Sequence, residues 1–226
     1  MADNSTPHMA GVYDKKVRET LPYYDCLIKE AVEIVKTINP SPNVWLDTGC
    51  GTGNIIDEAL NQFDKTKFFI GDPSQEMLDI AVSKNINNKR VKSIGAYATQ
   101  DLKNIDIDKP EVITAIQCHH YVDEKTRECA IKVCYDLLQD GGVFVTSENI
   151  SPATQEGIDY AKKRSVNFQI TQGRTFEEAS AHTNRFGVNY FPITVETYIK
   201  LLKKCGFRIV ELLWVSQSLA GFYCIK

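Results

Sequence analysis

The chain has 226 residues, 43% hydrophobic and 24% charged, which suits one α/β domain with an elaboration. Its net charge of −3 gives no global field favouring nucleic acid or an anionic membrane, and no apolar run approaches the ~20 residues of a membrane span. The start, M-A-D-N-S-T-P-H-M, lacks a signal peptide's regions, and seven scattered cysteines without a C-x-x-C pair indicate neither disulfides nor zinc, so a cytoplasmic, reduced, metal-free protein is expected.

Residues 1–11 read as a disordered tail. From Val12 to Ile38, apolar positions recur at helical spacing and break at Pro22. They predict a short helix over Tyr13–Thr20 and a longer one over Tyr23–Thr37. Val44-Trp45-Leu46 reads as a strand that closes on Asp47 and three alternate glycines, Gly49, Gly51 and Gly53. A helical pattern follows over 54–63. Strand, glycine turn and helix make a nucleotide-type loop, because glycine tolerates the backbone angles and the close ligand approach. A dinucleotide loop, G-x-G-x-x-G, needs a third glycine where Asn54 stands. The spacing here is D-x-G-x-G-x-G. A second strand, 67–71, ends at Asp72, and Ser74 caps the next helix, with Met77 in its first turn.

Two acids around such a loop resemble the cofactor site of class I S-adenosylmethionine (SAM) methyltransferases, and the resemblance covers essentially the chain from Val12 onward. It implies SAM as cofactor and S-adenosylhomocysteine as product. Asp47 then meets the methionine ammonium, and the backbone of Gly49, Cys50, Gly51 and Gly53 lies against the ligand. Asp72 accepts both ribose hydroxyls, while Pro73 and Met77 border the adenosine. Leading helices cap the site in such enzymes, so Tyr13 is either a lid residue or an aromatic anchor of its own helix. After a third strand, 91–94, Ala98 stands where relatives carry the acid for the adenine amine. That role falls to Thr99, Gln100 and the backbone.

The fourth strand, Val112–Ile116, ends in Gln117-Cys118-His119-His120-Tyr121. Ligands of open α/β sheets bind outside the strands' carboxyl ends, which sets this peptide over the reactive centre and Gln117 at the cofactor. Either His119 or His120 is a general base, or a histidine holds the loop by a backbone hydrogen bond. A helix over 124–138 and a strand over 143–147 lead to Glu148-Asn149. Residues 152–191 form a substrate-side insertion with helices at 153–169 and 175–184. Thr194 caps a helix ending at Lys204, and strands Phe207–Trp214 and Leu219–Ile225 follow. The expected fold is a three-layer α/β sandwich in one domain, 12–226. Its seven-stranded sheet is mostly parallel with the last strand antiparallel; residues 12–38 form a helical cap, and the helical insertion follows strand 5.

Within that family the chain looks most like the subgroup containing carboxy-SAM synthase. Shared features are Arg18, Pro22 and Tyr24, Ser147-Glu148, Lys163-Arg164 and Cys205-Gly206-Phe207. An arginine in the K-R context clasps a carboxylate there, which implies that role for Arg164 unless it is a surface charge. The ordinary glycine loop favours plain methyl transfer to a small-molecule acceptor, with His119, His120 and Arg164 as catalytic candidates. Nucleic acid is not favoured, no membrane is involved, and a homodimer is left open. The alternatives are a carboxy-SAM synthase-like enzyme, a tRNA-modification methyltransferase, a non-catalytic SAM-binding module and a nicotinamide dehydrogenase.

Overall fold

A computed structural model describes residues 6–226, the side chain of Asn104 excepted. Two helices lead, α1 (Tyr13–Thr20) and α2 (Tyr24–Ile38). A strand–helix alternation follows: β1 (Val44–Thr48), α3 (Asn54–Leu60), β2 (Lys67–Gly71), α4 (Gln75–Lys84), β3 (Val91–Gly95), β4 (Val112–Ile116), α5 (Glu124–Leu137) and β5 (Val143–Asn149). The insertion carries α6 (Gln155–Thr171) and α7 (Phe176–Thr183), and α8 (Val195–Lys204), β6 (Ile209–Ser216) and β7 (Leu219–Ile225) close the chain.

The strands form one sheet in the order β3-β2-β1-β4-β5-β7-β6. The first five are mutually parallel, and β7 runs antiparallel to both β5 and β6. β1 is buried throughout because helices cover both sheet faces, as a parallel sheet requires. Alternate side chains serve opposite layers: Trp45 packs with Ile28, Val32 and Ile56, while Leu46 packs with Ile131, Phe144 and Leu202. The strand order reverses between β1 and β4, so a crevice opens at their carboxyl ends, beside Asp47 and Gln117.

The structure differs from the sequence expectations in three places. Of the expected tail, residues 1–5 lie outside the described residues, but within 6–11 His8 and Ala10 are buried. His8 is buried with its ring stacked on His182, centroids 5.8 Å apart, and Ala10–Val12 form a 3-10 turn. That docking partner is remote in sequence, so local polarity did not reveal it. β5 extends to Asn149 because β7 pairs with it as far as Leu219, which puts Glu148 inside the strand. Phe207 precedes β6 and stacks on Phe144 at 5.3 Å.

Candidate functional site

The loop after β1 is held open by backbone conformation. Gly49 and Gly51 have φ of 65° and 55°, where a side chain is strained, and a Cβ on Gly49 would stand 2.7 Å from Cys118 Cβ. Asp72, at the end of β2, takes the Gly51 N–H on Oδ2 and the Ser74 N–H on Oδ1, both at 2.8 Å. Asp47 lies deeper, 1% exposed. Its Oδ1 accepts the Thr114 hydroxyl at 2.6 Å, while Oδ2 has no hydrogen-bond partner among the described residues. Burial pushes this carboxyl up to about 7; the Thr114 bond opposes that, and nearby Asp72 adds to it. An unpaired buried acceptor costs about 1–3 kcal/mol, so Oδ2 is suited to an incoming cationic N–H donor. The α-ammonium of an amino acid fits that requirement.

Helix α1 lies over the loop. The Tyr13 ring comes within 4.0 Å of a Cβ built on Gly51. Asp14 latches the helix down: its Oδ1 accepts from Thr52 Oγ1 and Asn54 Nδ2 at 2.5 and 2.9 Å, and Oδ2 pairs with Lys84 at 2.8 Å. Burial alone would raise Asp14, but the bonds from Lys84, Thr52 and Asn54 outweigh it and hold the carboxyl below its ordinary range. Thr52 and Asn54 flank the glycine that leads into α3. A carboxylate therefore stands where a dinucleotide would bring its pyrophosphate, and two anions there would repel.

At the end of β4, Gln117 adopts a left-handed φ of 57°, and its N–H and side-chain amide both bond Ser147, at 2.6 and 2.9 Å. Glu148 Oε2 takes the backbone N–H and ring Nδ1 of His120 at 2.9 and 2.6 Å. Burial would raise Glu148, yet His120, His119 and the buried Arg127 hold it down and ionised. On its far side, His120 Nε2 lies 3.0 Å from Asn149 Nδ2, which also donates to Gln117 Oε1 at 3.1 Å. Glu148, His120, Asn149 and Gln117 thus form one chain of hydrogen bonds. It ends on two amides that line a cavity beneath α1, together with Tyr13, Tyr121, His182 and Arg185. That cavity is narrow, ≈ 30 Å³, with α1 residues Tyr13, Val17 and Thr20 in its wall. A second cavity of ≈ 40 Å³ shares Asn149, His182 and Tyr190 with it and continues between α6 and the β6–β7 hairpin, walled by Ile158, Phe186 and Leu219.

The structure therefore brings Tyr13, Asp47, Gly49, Gly51, Asp72 and Gln117 together around one crevice. Cys50 is buried within the loop, and Met77 is buried in the first turn of α4. Pro73 is exposed beside Asp72, and Gln100 is half-buried in the turn after β3. Four of the expected residues turn elsewhere. Thr99 faces inward, its hydroxyl 2.8 Å from Thr48 Oγ1 and 3.1 Å from His119 Nε2, rather than toward an adenine. His119 is buried against that pair and does not border the cavity. Burial lowers its pKa, so it is neutral. His120 reaches the cavity only through Asn149. Arg164 is exposed on α6, whose cavity-facing residues are Ile158, Ala161, Lys162 and Ser165, one stripe at helical spacing. The arginine at the cavity beneath α1 is Arg185, in the loop after α7, a position that no sequence motif singles out. Asp14, Asn149 and the His8–His182 stack were missed too. None of them belongs to a local motif; each is recruited by a tertiary contact.

The chain is similar to known proteins in three ways. Residues 46–144 match a family described as "Methyltransferase domain". Carboxy-S-adenosyl-L-methionine synthases of Staphylococcus epidermidis and Campylobacter lari are 22% and 25% identical to this chain over 96% and 97% of it, and 93% and 92% of their own length. Among solved structures, 1,6-didemethyltoxoflavin-N1-methyltransferase from Burkholderia thailandensis superposes with a TM-score of 0.62 at 15% identity, over 96% of this chain and 84% of that one. Human N-acetylserotonin methyltransferase in complex with SAM superposes with a TM-score of 0.58 at 13% identity over 96% of this chain. The chain spans about half the length of the human enzyme, 53%.

Proposed function

We propose that the chain is a class I SAM-dependent methyltransferase that transfers the SAM methyl group to a small molecule held in the cavity beneath α1. The observation that carries this reading is Asp47 Oδ2, a buried oxygen left without a partner among the described residues, below the glycine loop and beside the Asp72 carboxylate. Bound SAM supplies an electrophilic methyl on a sulfonium. The protein's own share is positioning and exclusion of water. Asp47 accepts the ammonium, Asp72 accepts from the ribose, and Tyr13 closes over both. Gln117 and Asn149, aligned by the His120–Glu148 pair, hold the acceptor in line. In this arrangement His120 acts through Asn149 as a positioning residue rather than as a general base. Nothing in the charge balance favours a nucleic acid acceptor. Incubation with methyl-labelled SAM and a panel of small O-, N- and S-nucleophiles tests the reading. Label transfer to one class supports it, and SAM binding without any transfer favours a non-catalytic module.

A second reading has its own support. Arg185 stands beside Tyr121, Asn149 and Gln117 at the cavity and could clasp a carboxylate there, and the matched relatives are named carboxy-SAM synthases. Mass spectrometry of the cofactor that copurifies separates the two readings. An added carboxylate on the transferable carbon favours the second.

A further inference from the structure

The carboxyl end of β4 holds a cluster in which Cys118 and His119 play no part in the proposed methyl transfer and join Glu148 on the side away from His120. One donor atom from each of Cys118, His119 and Glu148 lies within 4.8 Å of the other two. His119 is 3% exposed, and its Nδ1 has no hydrogen-bond partner among the described residues. The other ring nitrogen explains why. Nε2 lies 3.1 Å from Thr99 Oγ1, which can accept from it while donating to Thr48 Oγ1 at 2.8 Å. With its proton on Nε2, the ring presents a bare Nδ1 lone pair to the cluster, the tautomer that metal-binding histidines use. Glu148 spends its oxygens unequally. Oε2 takes the short bonds from His120, whereas Oε1 receives only longer ones from His119 N, Thr146 and Tyr198, at 3.2, 3.3 and 3.4 Å. Oε1 stands 3.9 Å from His119 Nδ1, and its long, weak bonds are the ones a cation would replace. Cys118 Sγ has a single weak acceptor, Thr48 O at 3.7 Å.

We propose that Cys118, His119 and Glu148 form a binding site for a thiophilic divalent cation, with Zn²⁺ best matched to the donors. Thiolate, imidazole and carboxylate are all zinc ligands, and the two anions balance the ion's charge, so a buried complex is neutral. Donor atoms around a tetrahedral zinc stand roughly 3–4 Å apart, so the cluster needs to contract by about 1–2 Å at its widest separation. The ion ties the loop after β4 to β5 directly under the glycine loop, because Cys118 packs against Gly49. The sequence pointed to no metal since two donors are consecutive and the third lies on the neighbouring strand, a spacing no short motif contains.

The test uses the whole chain, kept reduced and free of chelator. Metal content after dialysis against Zn²⁺ is expected to be one ion per chain. Titration with Co²⁺ is expected to give a near-ultraviolet thiolate-to-cobalt band that Zn²⁺ abolishes. Cys118→Ser should lose the band, and His119→Gln should weaken Zn²⁺ binding at least about tenfold, the loss that even outer-shell partners cause. Cys26→Ser, an exposed cysteine, should keep the band. Should a variant fail to fold by circular dichroism, the wild-type chain still decides. Folded wild-type protein that retains no zinc and shows no thiolate band overturns the site, as does a band that survives Cys118→Ser.

Discussion

Replacing Asp47 by asparagine probes the largest electrostatic imbalance in the crevice. The carboxyl is 1% exposed and burial lifts it from its ordinary 3.8 to about 7. A folded value above the unfolded one means that the native state holds a proton which the unfolded chain releases. The unliganded protein therefore loses stability as pH rises from about 4 to about 7, and the loss persists above that window. The span, 7 − 3.8, is about 3 units, which corresponds to ~4 kcal/mol. In Asp47→Asn the side chain would carry no charge and could still accept from Thr114. Without ligand, the variant should melt higher than wild type at about pH 8.5, with the difference shrinking toward about pH 4. With SAM the order reverses. Losing a charge-assisted bond to the ammonium costs about 1.5–3 kcal/mol, a drop in affinity on the order of 10- to 100-fold. Scanning calorimetry across this pH range and isothermal titration with SAM give both quantities. A variant that is less stable than wild type at the alkaline end, or one that binds SAM equally well, refutes the reasoning.

The lid, the cavity cation and the N-terminal contact can each be perturbed separately. Asp14→Ala removes the latch to Thr52, Asn54 and Lys84; because Asp14 and Lys84 are partly exposed, about 1 kcal/mol is expected, seen in stopped flow as roughly five- to tenfold faster SAM release. An unchanged release rate would exclude α1 as the lid. Arg185→Ala should cut turnover, or retention of a carboxylated cofactor, by about tenfold or more, whereas the exposed Arg164→Ala should leave both intact. The opposite ranking would restore Arg164. Burial, with Arg174 and Lys16 adding to it, lowers His8 to about 4, below its ordinary 6.5. The unfolded chain then binds more protons, so this contribution is complete above pH 6.5 and fades as pH falls toward 4. Melting temperatures of His8→Phe should therefore depend less on pH across that window, and parallel curves for variant and wild type would count against the docked strap.

Much of the fold was legible because its elements carry their own periodicity. β2, β4 and β7 run from Lys67, Val112 and Leu219 over the residues that local pattern and flanking turns predict, and Ser74 and Thr194 cap their helices through their own side chains. The glycine loop was legible for the same reason, since Asp47, Gly49, Gly51 and Gly53 are neighbours in sequence. Orientation within the insertion was not. A K-R pair at helical positions does not say which flank of α6 meets the cavity, and the answer came from packing that favours Ile158 and Ser165 over Arg164. Thr99 and His119 sit at strand ends where ligands bind, yet each turns toward the other and away from the crevice. Asn54 first counted against a dinucleotide; its amide proves to be the anchor for Asp14, a contact between segments far apart in sequence.

Isothermal titration of the wild-type chain with SAM, and separately with NADH, is the most direct measurement of whether this crevice holds an adenosyl amino acid. One SAM bound per chain with no heat from NADH is the predicted outcome. Heat with NADH and none with SAM or S-adenosylhomocysteine would contradict it.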